Sequence, residues 1–105
     1  MIFVMAGISY ENRFQEAQRA VIAALESGEY QHVSRGDIDI KNLLATGEVS
    51  AREVVEVVRS CRGIHHASSP HHAVAAVEVH VLKRDGWYIK FFFIEPDTWF
   101  ISVHQ

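Results

Sequence analysis

The chain has 105 residues, 49% of them apolar, and a formal net charge of −3; that length fits one domain, 1–105, and one small core burying roughly 60–70% of the unfolded surface. A pI of about 6.1 gives no general basic field, so DNA binding by the chain itself is not expected and any RNA contact needs a local patch. Cys61 is the sole cysteine, which excludes an intramolecular disulfide and suits a reducing cytoplasm.

The opening Met1-Ile-Phe-Val-Met-Ala lacks a basic leader and is too short for a signal peptide or a membrane span, so it is expected to form a short strand or an ordered arm, with no membrane partner. Asn12 to Gln15 resembles a capping box, and Phe14, Ala17, Val21, Ala24 and Leu25 follow at helical spacing until Gly28 stops the helix. Asp37 to Thr46 predicts a shorter helix carrying Leu43 and Leu44 and closed by Gly47. Ser50-Ala-Arg-Glu53 is a capping box in its S-x-x-E form, and Ala51, Val54, Val55, Val58 and Cys61 stripe the helix it starts. Valine is a poor helix former, so packing must hold that helix. His65-His-Ala-Ser-Ser-Pro-His-His72 reads as a polar loop; imidazoles bind zinc, but this spacing matches no metal site, and no metal or other cofactor is expected.

From Ala73 onward the pattern is of strands. Val77, Val79 and Val81 alternate with Glu78 and His80; Trp87 to Ile94 carries Ile89, Phe91 and Phe93; Trp99 to His104 carries Trp99, Ile101 and Val103. Aligning these apolar sets on one face requires connections of odd length. A three-residue Arg84-Asp85-Gly86 turn and an odd loop around Pro96-Asp97 satisfy that condition. The fold expected is therefore α+β, with N-terminal helices packed on a three-stranded antiparallel meander and room for one more N-terminal strand. In this register Glu78, His80, Tyr88, Lys90, Ser102 and His104 share the opposite face, with Tyr88 opposite His104 and His80 opposite Lys90. Phe92, Ile94 and Phe100 fall there too, and Lys83-Arg84 supplies a local positive cluster. Phe92 could stack a base, and Lys83 and Arg84 could hold RNA backbone.

The layout resembles the MqsR toxins of the RelE-like superfamily over about residues 13 to 105. Arg13 to Tyr30 resembles their opening helix-glycine-strand segment, and His32-Val-Ser-Arg-Gly36 with the stretch to Ser60 resembles their T-x-R-S-A, L-G and V-V middle. Trp87-Tyr-Ile-Lys-Phe91 resembles their V-Y-L-K-L strand, and Ile101-Ser-Val-His-Gln105 their V-S-F-K-E ending. The resemblance implies a RelE/MqsR-like fold and a metal-free messenger RNA interferase, acting on mRNA free or on the ribosome and silenced by a cognate antitoxin. It places the family's tyrosine on Tyr88 and its C-terminal lysine on His104. Its upstream lysine falls near His65 or His66, and its glutamine near Val77, where Glu78 or His80 could take the role.

Chemistry singles out the same residues. Metal-free RNA cleavage needs a base for the 2′-hydroxyl, an acid for the leaving 5′-oxygen and a cation at phosphorus, and an imidazole exchanges protons near neutrality. His104, with His80, His65 or His66, is the expected acid–base set, Lys90 the cation and Tyr88 the positioning group. The alternative is a non-enzymatic binding module or inhibitor that docks a protein on the same face; acidity and the change of lysine to histidine favour it.

Overall fold

The structure, a computed structural model, describes residues 10–34 and 41–105. Helix α1 (Tyr10–Ser27) leads into strand β1 (Tyr30–His32), then α2 (Leu43–Thr46), α3 (Ala51–Ser60) and a 3-10 turn (Gly63–His65), followed by β2 (His66–Pro70), β3 (Glu78–Arg84), β4 (Trp87–Ile94) and β5 (Asp97–His104). The strands form one mixed sheet in the order β1-β5-β4-β3-β2, with β1 parallel to β5 and the other pairs antiparallel. The chain is thus α+β; the expected three-stranded antiparallel meander is present as β3, β4 and β5, and β1 and β2 extend it to a five-stranded mixed sheet. The expected N-terminal arm and Asp37 to Ile40 lie outside the described residues.

The helices form as their apolar spacing requires. Phe14, Ala17, Val21, Ala24 and Leu25 of α1 are all buried, as are Val54, Val55 and Val58 of α3. The Ser50 capping box is complete: its side chain accepts from the Glu53 N–H, and the Glu53 carboxylate accepts from the Ser50 N–H. Packing supplies what valine propensity withholds: Val54, Val55 and Val58 are buried, and Gln18 of α1 donates to the carbonyls of Val58 and Cys61 at 2.9 and 3.2 Å, tying the end of α3 to α1. Helix α1 starts at Tyr10, so Asn12 lies within its first turn rather than capping it.

The sheet departs from the expected register at both hairpin connections. Arg84 pairs with Trp87 across a two-residue turn, Asp85-Gly86, with φ of 52° and 85°. Positive φ at both central residues defines the type I′ turn that Asp-Gly favours, so the connection is even. Parity inverts on β3: His80 and Leu82 face the helices, and Val79, Val81 and Lys83 face away. His80 therefore sits opposite Phe91, not Lys90.

The second connection is also even. Ile94 pairs with Asp97 around Glu95-Pro96, joined by a cis peptide. The odd residue enters later, as a bulge: Phe91 pairs with Phe100 but Lys90 with Ser102, leaving Ile101 extra. The bulge lets Phe100 and Val103, of opposite parity along β5, both reach the core, where each is fully buried. Trp99 and Ile101, expected in the core, lie on the far face, and Phe100 takes the reverse trip. Burial of Phe91 and Phe100 stabilises the fold by roughly 1.5–3 kcal/mol each.

One strand, β2, occupies part of the segment whose composition predicts a loop. His66 to Pro70 pairs with β3 from Leu82 to Glu78, and the chain then folds back through a 71–77 excursion closed by the His71 N–H to Val77 O bond of 2.8 Å. Ala73 to Val77, expected as strand, belongs to this excursion.

Candidate functional site

The face of the sheet away from the helices is ordered in rows. Lys83, Tyr88 and His104 are cross-strand neighbours in one row, Val81, Lys90 and Ser102 in the next, and Val79, Phe92 and Trp99 in a third; successive rows lie about 7 Å apart along a strand. In the first row the rings of Tyr88 and His104 stack, with centroids 5.1 Å apart and planes 21° apart. Lys83 Nζ lies 5.6 Å from the centroid of the Tyr88 ring, a cation–π contact that holds a positive charge beside the pair.

The third row is covered by the excursion after β2. His71 packs edge-on against Phe92 at 5.2 Å and stacks on His72 at 4.6 Å. A cavity of about 230 Å³ remains between this loop and the sheet, bounded by His71, His72, Lys90, Phe92 and Ile101. His71 Nδ1 accepts from the Ala73 and Val74 N–H groups at 3.0 and 3.2 Å. Its neutral form is thereby held with the proton on Nε2, a donor at the cavity wall.

The expected catalytic set is divided by the sheet. Tyr88, Lys90 and His104 are together on the outer face, but His66 and His80 lie on the helix side, so they cannot act with His104 on one phosphate. They are hydrogen-bonded to each other, His66 Nε2 to His80 Nδ1 at 3.0 Å, and both are buried. Burial lowers both pKa values, that of His80 to about 4, aided by the neighbouring His66; a low-dielectric site disfavours the imidazolium. Glu78 is beside them, ion-paired with Arg13 of α1. Burial works to raise its pKa, but a Ser68 hydrogen bond, Arg13 and His80 outweigh it and leave the carboxyl below its usual value.

The remaining expected residues also sort by face. His65 accepts the Arg62 N–H on Nδ1 at 2.8 Å and caps the 3-10 turn. Arg84 turns to the helix side, where it donates to the Ser60 carbonyl at the end of α3, so it cannot join Lys83 on the outer face. Phe92 is on the outer face but only 6% exposed beneath His71, which leaves no ring surface for a stacked base. His71 and His72 are not among the expected site residues, because Pro70 and the paired serines give their segment the composition of a polar loop. The signal that could have found them is Pro70, which ends β2 and starts the turn carrying both rings back over the sheet. No cluster of three or more His, Cys, Asp or Glu able to hold a metal is present among the described residues, and no described helix is long and apolar enough to cross a membrane.

No family model, curated protein or solved structure matches this chain.

Proposed function

We propose that this protein is a metal-independent endoribonuclease of messenger RNA, the toxin of a toxin–antitoxin pair acting in the cytoplasm, with an MqsR-like active site at Tyr88, Lys90 and His104. The observation that carries the reading is the stacked Tyr88–His104 pair flanked by two lysines on the helix-free face. Stacking on Tyr88 orients the His104 imidazole, which takes the 2′-hydroxyl proton as the 2′-oxygen attacks phosphorus. Lys90, one row away, neutralises the charge that develops on the phosphoryl oxygens. The 5′-oxygen leaves and takes a proton from solvent water, giving a 2′,3′-cyclic phosphate and a 5′-hydroxyl. His66 and His80 have no part in this step.

Induced expression in a bacterial host tests the proposal. The wild-type chain arrests growth and shortens reporter mRNA, His104→Ala does neither at equal protein level, and co-expressed antitoxin restores growth. Normal growth with abundant folded wild-type protein would overturn the nuclease reading in favour of the non-enzymatic binding module.

A further inference from the structure

The cavity of about 230 Å³ beneath the 71–77 excursion lies on the helix-free face but away from the Tyr88–His104 row. Val79, Phe92 and Ile101 give it an apolar sheet side, and Lys90 and His71 supply charge and polarity. Among the described residues no acid borders it, although the chain as a whole carries a formal net charge of −3. The local sign is opposite to the global one.

Both groups are donors. The two backbone N–H groups of Ala73 and Val74 occupy His71 Nδ1 at 3.0 and 3.2 Å, so the neutral ring carries its proton on Nε2. Stacking on His72 and the edge contact with Phe92 hold that ring over the sheet. Neither His71 Nε2 nor Lys90 Nζ has a hydrogen-bond or ion-pair partner among the described residues. A few polar groups converging on an apolar cavity are what orients a bound small molecule. Here a fixed neutral donor and a cation both call for an acceptor, and the cation calls for an anion.

We infer that this cavity binds a small aromatic monocarboxylate: the carboxylate accepts from Lys90 Nζ and His71 Nε2–H, and the ring lies against Val79, Phe92 and Ile101. The volume falls below the roughly 300–1,000 Å³ of sites for drug-sized ligands, which limits the occupant to about one ring. A rigid ring also covers apolar wall without freezing rotors of its own. Inorganic phosphate would leave those walls unused, and an amine would be repelled by Lys90. Binding here needs no RNA, so it stands or falls separately from the nuclease reading, although Lys90 serves both.

Titration of the full chain with benzoate, followed by NMR at neutral pH and physiological ionic strength, tests it. Saturable one-to-one binding is expected, at least tenfold tighter than that of acetate, which lacks the ring, or of benzamide, which lacks the charge. Benzoate shifts the His71 ring and the Ile101 methyl resonances and leaves the buried His80 ring in place. Lys90→Met keeps the stem, removes the charge and weakens benzoate at least tenfold. His71→Asn weakens it too, because the Asn side chain can still accept the Ala73 N–H as an Asx turn but no longer presents the ring donor; its β3–β5 amide resonances stay in place. No saturable binding at millimolar benzoate would overturn the inference. Equal binding of acetate or benzamide, undiminished binding by either variant, or shifts at His80 without shifts at Ile101 would also overturn it, since each describes unspecific association or another site.

Discussion

Tyr88 and His104 stack across β4 and β5 at 5.1 Å, and the Ile101 bulge is what makes this compatible with a core that holds both Phe100 and Val103. Tyr88→Phe keeps the stack and removes only the hydroxyl. Thermal unfolding should therefore change by no more than about 0.5 kcal/mol. Tyr88→Ala removes the ring that orients the imidazole, costing about 0.5–1.5 kcal/mol of aromatic contact and lowering RNA cleavage well below that of Tyr88→Phe. Equal cleavage by the two variants, measured on a labelled transcript, would deny the ring its positioning role.

The lysines and Arg84 give a test by face. Lys83 and Lys90 lie beside the Tyr88–His104 pair, whereas Arg84 binds the end of α3. Lys83→Ala should weaken binding to single-stranded RNA and reduce the slope of log affinity against log salt by about 0.7. Lys90→Ala should lower the cleavage rate by roughly 10²–10³, as removal of a transition-state charge partner does. Arg84→Ala should leave the salt slope alone and instead lower stability, because the Ser60 carbonyl loses its cationic donor. A salt slope changed by Arg84→Ala and not by Lys83→Ala would reverse the assignment of faces.

Helices α1 and α3 were legible because each carries a single apolar stripe and α3 a complete cap, so local pattern and tertiary packing agree; α2 is only the single turn Leu43–Thr46, started by the Asn42 side chain accepting the Ala45 N–H, so Lys41 and Asn42 of the expected Asp37–Thr46 helix lie outside it. The sheet was legible in part. Its strands alternate cleanly, but β3 has an apolar set at each parity, Val79 and Val81 on one, Leu82 on the other. Alternation alone cannot choose between them; the Asp-Gly turn chooses, since its preference for a two-residue I′ loop outranks the valine count. One odd connection between β4 and β5 predicts the pairing of Tyr88 with His104, and the molecule makes the same pairing with an even connection plus a bulge. His80 has no such compensation: the even Asp85-Gly86 turn alone sets it opposite Phe91. Strand β2 was hidden by composition, because Ser68, Ser69 and Pro70 read as loop residues until an edge position makes them acceptable.

The buried His66–His80 pair sets a pH dependence of stability. His80 has a folded pKa of about 4 against an unfolded value of about 6.5, so the unfolded chain binds more protons between those limits and stability rises with pH across them. Nothing is lost above pH 6.5. Falling from 6.5 to 4 costs on the order of 3 kcal/mol from this group, with His66 acting in the same direction because its pKa is also lowered by burial. Glu78, held below its usual value, adds a further loss only as pH falls beneath the ordinary carboxylate range. Urea midpoints at pH 7.0, 5.5 and 4.5 should decline in that order. A flat profile, or a His80 ring that titrates near 6.5 by NMR in the folded protein, would show that the pair is not buried as described.

The Asp85-Gly86 turn decides which residues of β3 face the helices, so its chemistry is the most direct check on the register. Gly86 holds φ of 85°, a conformation nearly free of cost for glycine and strained for a β-branched side chain. The space around it is open, with nothing within 4 Å of where a Cβ would stand, so any penalty comes from the backbone and not from a clash. Gly86→Val should then destabilise by more than about 1 kcal/mol, whereas Asp85→Gly, replacing the other positive-φ residue at 52°, should stay within about 0.5 kcal/mol. Asp85→Pro cannot adopt a positive φ at all and should break the hairpin. In a three-residue turn with Gly86 alone left-handed, Asp85 would hold ordinary negative φ, and Asp85→Gly would instead destabilise by roughly 0.5–1 kcal/mol through the greater freedom of the unfolded chain. Chemical denaturation of these three variants therefore separates the two registers, and with them the burial of His80 from its exposure beside Lys90.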